Sequence, residues 1–81
     1  MNRFSVSATE NYPEWSLLLT WVAVVEAASV SGAARLLGLS QAAVSQRIKQ
    51  LEAAMSTELL DRSTRPARPT PAGELLFEHA A

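Results

Sequence analysis

The 81-residue sequence contains no cysteine, so neither a disulfide framework nor a thiolate metal site is available to it. It has one histidine, His79, and a zinc or catalytic-metal cluster would therefore lack its usual ligands. His79, Asp61 and a serine can be counted toward a hydrolytic triad, but no glycine-rich elbow or oxyanion site accompanies them. An enzyme is not expected. Long hydrophobic runs are missing as well. Nothing approaches the ~18 residues that a membrane helix needs, and the most apolar region, residues 17–25, is interrupted by Thr20. No apolar stretch precedes Tyr12, which argues against a secretory signal. A cytoplasmic domain without a membrane partner is the expectation.

The composition is that of one small folded domain. Apolar residues make up 48% and charged residues 19%, which argues against disorder, and the length suits a single core of a few helices. The net charge of −1 is at first sight unpromising for a nucleic-acid partner. Its distribution points the other way. Residues 35–68 carry Arg35, Arg47, Lys49, Arg62, Arg65 and Arg68 against Glu52, Glu58 and Asp61, a local +3. The remainder sets Arg3 against Glu10, Glu14, Glu26, Glu74 and Glu78, a local −4. Segregation of this kind fits a basic binding face, although chance clustering on a small surface produces it too.

The basic region contains the most informative stretch, residues 39–51. Ser40 is a good helix N-cap, and Val44, Ile48, Leu51 and Met55 form an apolar stripe at helical spacing. Ala42, Ser45, Gln46 and Lys49 gather on the opposite face. That face has one cation, short polar or amide side chains and no carboxylate, as a helix entering a DNA major groove requires.

Upstream, residues 1–13 are polar and aperiodic, a flexible arm with too little arginine for minor-groove work. Pro13 and Glu14 suit a helix start, and Leu18, Trp21, Val22 and Val25 follow i, i+3, i+4, i+7 in a helix from Glu14 or Trp15 to Ala28. The tryptophans are core and interface mass rather than a base-stacking platform. Ser31 can cap a second, short helix with Ala33, Ala34 and Leu37 inward, and Gly38 can take the left-handed C-terminal position. Two helices joined by the short link Gly38-Leu39-Ser40 make a helix-turn-helix or an ordinary helical corner. Downstream, residues 58–62 are partly apolar and residues 63–69 hold two prolines and two arginines. They form a β-hairpin wing or a basic linker. Thr70 then caps a last helix with Pro71 at its first position, and this helix is still open at Ala81, which suggests a longer polypeptide.

With these residues in view, the sequence resembles the N-terminal DNA-binding domain of LysR-type transcriptional regulators. The resemblance is carried by Ala28-Ser29-Val30-Ser31-Gly32-Ala33-Ala34-Arg35-Leu36-Leu37, Leu39-Ser40-Gln41-Ala42-Ala43-Val44-Ser45-Gln46-Arg47-Ile48, Leu51-Glu52, Leu59-Leu60-Asp61-Arg62 and Pro69-Thr70-Pro71-Ala72-Gly73, in the family's order and spacing. Residues 43–52 and 68–70 resemble its arginine/lysine-responsive branch. The resemblance implies a mainly α winged helix-turn-helix, a three-helix core with a small β-hairpin wing, over residues 14–70. Residues 71–81 would begin a linker helix that pairs two subunits, with Leu75, Leu76 and Phe77 at the dimer contact. It also implies double-stranded DNA as partner and a homodimer on dyad-symmetric sites. No cofactor is expected within these residues, since a small-molecule co-inducer would bind a separate effector domain.

Departures from the family pattern fall at Trp21 and Leu60, where phenylalanine is usual, and at Ala28-Ser29-Val30, where Gly-Ser-Phe is common. Ser56 stands at a usual glycine, and Ala42 and Gln46 replace a frequent proline and arginine on the reading face.

On this reading the recognition helix spans about residues 41–55 and the wing about 59–69. Gln41, Ala42, Ser45 and Gln46 reach base edges: glutamine can pair bidentately with adenine, and alanine can meet a thymine methyl. Ser45 could instead back-bond within its own helix, and the glutamines could simply be solvated. Ser31 and Ser40 at helix starts, and Arg47, Lys49, Arg62, Arg65 and Arg68, would contact the DNA backbone. Arg47 has the alternative of pairing with Glu52 or Asp61, and Arg62 that of a structural contact at the wing base. The rival from another class is a helical protein–protein module that uses Trp15, Trp21 and residues 75–77.

Overall fold

Ser29, Gly38, Ser40, Ser56 and Thr70 fall between helices and strands, and the described chain divides into six elements. In the computed structural model, which describes residues 14–80, these are α1 (Glu14–Ala27), α2 (Val30–Leu37), α3 (Gln41–Met55), β1 (Leu60–Asp61), β2 (Arg68–Pro69) and α4 (Pro71–Ala80). The expected arm at residues 1–13 lies outside the described residues. The first three helices form the core bundle, the two strands form an antiparallel hairpin, and α4 returns against α1. None of the described helices is long and apolar enough to cross a membrane.

Helix α1 buries Leu17, Thr20, Trp21, Ala23 and Val24. The expected stripe of Leu18, Trp21, Val22 and Val25 is thus rotated: only Trp21 belongs to it, and the other three are half-buried. The helix is apolar on almost every side, so periodicity leaves its phase open. The largest side chain settles it, and Trp21 is fully buried. The helix also stops one residue early, because Ala28 adopts a left-handed φ of 58°.

The N-cap of α2 is Ser29, not Ser31: its backbone is extended and its Oγ accepts from the Gly32 amide at 2.9 Å. Ser31 lies within the first helical turn. Ala33 and Ala34 are buried, which allows close helix crossing, whereas Leu37, expected inward, is 36% exposed. Gly38 ends the helix at φ 69°, a conformation that costs other residues steric strain, and the Leu39 amide then reaches the Ala34 carbonyl at 2.9 Å.

Helix α3 begins as the sequence suggests, with Ser40 Oγ accepting from the Ala43 amide at 3.0 Å. Val44, Ile48 and Leu51 are buried. Met55, expected as the fourth member of the stripe, is 42% exposed because the helix runs past its packing partners there. Ser56 takes the left-handed closing position at φ 52° without the help of a glycine.

The wing is a hairpin, not a linker. Leu60 pairs with Pro69 and Asp61 with Arg68, and the buried Leu59 and Leu60 root it in the core. A proline is tolerable here because the sheet has only edge strands. Glu52, one turn before the end of α3, holds the hairpin in place. Its Oε2 accepts from the Leu59 amide at 2.8 Å and the Leu60 amide at 3.1 Å, and its Oε1 meets Arg62 Nη2 at 3.2 Å. Burial alone would raise the Glu52 carboxyl, but the Leu59 amide, the Arg62 guanidinium and the Leu60 amide outweigh it and hold the group below its ordinary value.

Helix α4 is closed onto the body from both sides. Thr70 caps it through the Gly73 amide (3.0 Å) and donates its hydroxyl to the Glu58 carbonyl (2.7 Å), while its own amide bonds the Leu59 carbonyl at 2.9 Å. Trp21 Nε1 donates to the Gly73 carbonyl at 2.8 Å, joining residues 52 apart in sequence. Gly73 is required by this approach. A Cβ there would collide with the Leu59 carbonyl oxygen and sit 2.6 Å from Trp21 Cζ2.

Two outcomes follow for stability. Gly73→Ala should cost about 2 kcal/mol or more, since a backbone carbonyl and a fully packed indole must both shift. A thermal melt matching the parent would show that the approach is not tight. For Glu52, the folded carboxyl sits below its unfolded value of 4.5, so its contribution is fully present above that value and is lost as pH falls through the lower folded value. Glu52→Gln should therefore lose about 1–3 kcal/mol at neutral pH, with the gap to the parent closing in acid. Equal losses at pH 7 and in strong acid would mean that the charge does not hold the wing.

Candidate nucleic-acid interface

The outer face of α3 is built by elimination. Val44, Ile48 and Leu51 face the bundle, and at about 100° per residue Ala42, Ser45, Gln46 and Lys49 must lie across the helix from them. Ala42, Gln46 and Lys49 are exposed, Gln41 in the first turn is exposed as well, and Ser45 is half-buried at the edge. The face offers two amides, a methyl, a hydroxyl and one ammonium, and no carboxylate. It can donate and accept hydrogen bonds without repelling a polyanion.

Ser31, Gln41 and Arg68 come from three different elements, and the fold brings them to one cleft of about 390 Å³ between the hairpin and the α1–α2 turn. Val24, Val25, Leu60 and Pro66 are among its apolar walls. The starts of α2 and α3 and the returning wing strand therefore meet in one place, next to the outer face of α3.

Electrostatics divide the expected cations into two groups. Lys49 on α3 and Arg65 and Arg68 in the wing are exposed. Arg62 is turned back, bound to Glu52 and also donating to the Leu60 carbonyl at 3.4 Å. Of its two expected roles, the structural one is in place. Arg47 is likewise turned inward: its Nη1 donates to Ser16 Oγ at 3.2 Å and Thr20 Oγ1 at 3.4 Å on α1. It is half-buried, and the side chain expected at the DNA backbone is here engaged with α1. Asp61 is occupied within the wing turn. The Ser63 hydroxyl (2.6 Å) and amide (2.9 Å) hold its carboxyl below the ordinary carboxylate range.

At the helix starts, Ser40 is both cap and exposed, while Ser31 has ceded the capping role to Ser29. Of the three residues expected at a dimer contact, Leu75 is 56% exposed, whereas Leu76 and Phe77 pack against the core of their own chain. Trp15 and Leu19 on α1 are also exposed, at 65% and 54%. Glu52 and Ser29 carry positioning work that their sequence context did not announce. The spacing of Glu52 from Leu59 signals nothing until the chain has folded back.

Comparison with known proteins agrees with this architecture. Residues 15–74 match the bacterial regulatory helix-turn-helix proteins of the lysR family. The regulator ArgP of Pseudomonas fluorescens is 48% identical over 66 residues, which are 82% of this chain and 22% of that protein. A probable hydrogen peroxide-inducible genes activator of Mycobacterium avium is 48% identical over 63 residues, 78% of this chain and 20% of that one. The chain thus spans about a fifth of the length of the curated relatives it matches. Among solved structures, the BenM DNA-binding domain in complex with catB site 1 DNA superposes with a TM-score of 0.80 at 37% identity, covering 84% of this chain and 73% of that one. Vibrio fischeri DarR in complex with DNA gives a TM-score of 0.78 at 33% identity, covering 86% of this chain and 24% of that one. A winged helix-turn-helix with this sequence and this hairpin belongs to the lysR family of bacterial regulatory helix-turn-helix proteins.

Proposed function

We propose that this domain binds double-stranded DNA in a sequence-dependent manner, and that it serves transcription regulation as the DNA-binding part of a longer regulator. The observation that carries this reading is the exposed, acid-free outer face of α3, flanked by a wing whose Arg65 and Arg68 are exposed. The helix enters the major groove with Gln41, Ala42, Ser45 and Gln46 toward base edges. Lys49, Arg65, Arg68, the Ser40 helix start and Ser31 face phosphates on either side. The DNA complexes of BenM and DarR support this placement by likeness of fold.

Three of the exposed apolar residues, Trp15, Leu19 and Leu75, lie on α1 and α4, which pack together. They support self-association through this side of the domain, leaving the α3 face for DNA, and a pair of domains would suit a dyad-symmetric site. A co-inducer would act on a part of the regulator outside these residues.

The test is a duplex titration at two or more salt concentrations, with sites obtained from a random pool. Association that weakens with salt and favours the selected sites is the expected result, and an absence of salt-dependent association would overturn it. Lys49→Ala should weaken binding to every sequence and lower the salt slope by about 1. An unchanged slope would remove Lys49 from the phosphate contacts. Gln46→Ala should cost about 1–3 kcal/mol on the selected site and relax preference at one base position. Equal loss on random DNA would show that Gln46 does not read sequence.

A further inference from the structure

Arg47 follows Gln46 on α3, yet its guanidinium points away from the outer face and into the seam with α1. Nη1 donates to Ser16 Oγ at 3.2 Å and lies 3.4 Å from Thr20 Oγ1. The two acceptors are one helical turn apart on α1. Thr20 is 1% exposed and donates its own hydroxyl to the Ser16 carbonyl at 2.9 Å, so the acceptor pair is itself fixed. A guanidinium in a half-buried seam is costly to place without acceptors, and its planar fork loses little further freedom once it finds them.

The place of Arg47 around the helix gives this contact its leverage. The buried residues Val44, Ile48 and Leu51 define one direction of α3. Arg47 stands about 70° to one side of it and Glu52 about 70° to the other. Arg47 ties its side to α1, and Glu52 ties the opposite side to the wing. Two polar anchors on opposite flanks resist rotation of the helix about its own axis, which an apolar stripe alone resists weakly. With side chains reaching about 5–6 Å from the axis, a turn of 10° moves their tips by about 1 Å. That displacement is enough to break a two-point hydrogen bond to a base edge.

We propose that Arg47 is a positioning residue for sequence discrimination: held by Ser16 and Thr20, it fixes the rotation of α3 and hence where Gln46 and Ser45 meet the bases, without touching DNA. This rests on the DNA-binding reading above and deepens it. Thr20, buried on the far element, becomes part of the specificity apparatus although no base can reach it.

The experiment compares the 81-residue chain with Arg47→Met, which keeps the aliphatic stem, with Arg47→Lys, and with the double variant Ser16→Ala/Thr20→Val. Each is measured for salt slope and for the ratio of selected-site to random-duplex affinity, and a thermal melt establishes that each is folded at the assay temperature. The expected result is an unchanged salt slope with the ratio reduced about tenfold in Arg47→Met and in Ser16→Ala/Thr20→Val alike, and no further reduction when they are combined. Arg47→Lys should recover part of the ratio. A slope lowered by about 1 with the ratio intact would make Arg47 a phosphate contact and overturn the proposal. So would an effect of Arg47→Met that the α1 double variant does not reproduce, or no change in either. A parent chain that shows no site preference at all would instead overturn the DNA-binding reading, and the positioning role with it.

Discussion

The arrangement depends on one indole. Trp21 is fully buried, and its nitrogen donates to the Gly73 carbonyl across 52 residues of sequence. That contact joins the first described helix to the last and encloses the rest of the chain between them. Burying an indole removes about 200 Å² from water, worth about 5 kcal/mol before the entropy of ordering it is counted. The hydrogen bond adds direction to this non-directional gain. It sets the rotational phase of α1, and through Gly73 it brings α4 beneath the Leu59 carbonyl, so that the root of the wing is held from below. The position of the wing root is then tied to the packing of α1 and α4 through Gly73 as well as to α3 through Glu52.

Helix α3 is held differently. Its three buried residues give it a place against the bundle, and the two charged residues flanking them give it an orientation. Opposite signs matter here. Glu52 accepts from amides at the wing, which a guanidinium could not do, and Arg47 donates to hydroxyl oxygens on α1. Both are consumed by the scaffold, which leaves the outer face with Lys49 as its single charge and with side chains suited to hydrogen bonding.

The sequence made some of this legible and withheld the rest for identifiable reasons. Ser40 with Val44, Ile48 and Leu51 marked α3 because an N-cap and a clean stripe agree. Gly38 and Thr70-Pro71 marked boundaries because few other conformations suit them. The phase of α1 was not legible, since apolar residues occur on all its sides and only tertiary packing selects Trp21's. Ser29 and Ser31 are equally good caps in isolation, and the left-handed Ala28 decides between them. Long side chains were the least legible. An arginine on a helix flank can reach solvent, a phosphate or a neighbouring helix, and spacing does not say which. The residues that approach closely only after folding, Gly73 under Leu59 and Glu52 beside its two amides, left no local signal.

The way the wing is fastened bears on how the molecule behaves across ionic conditions. Two of the bonds that hold it run from backbone amides to a carboxylate whose side chain is only 12% exposed. Mobile ions reach such contacts poorly, and an amide carries no net charge to be screened. The hairpin and α3 should therefore keep their mutual geometry from dilute buffer to concentrated salt. An electrolyte would then act on the space between the domain and its polyanion while leaving the binding surface itself unaltered, so this is a rigid stamp whose grip, but not whose pattern, varies with the medium.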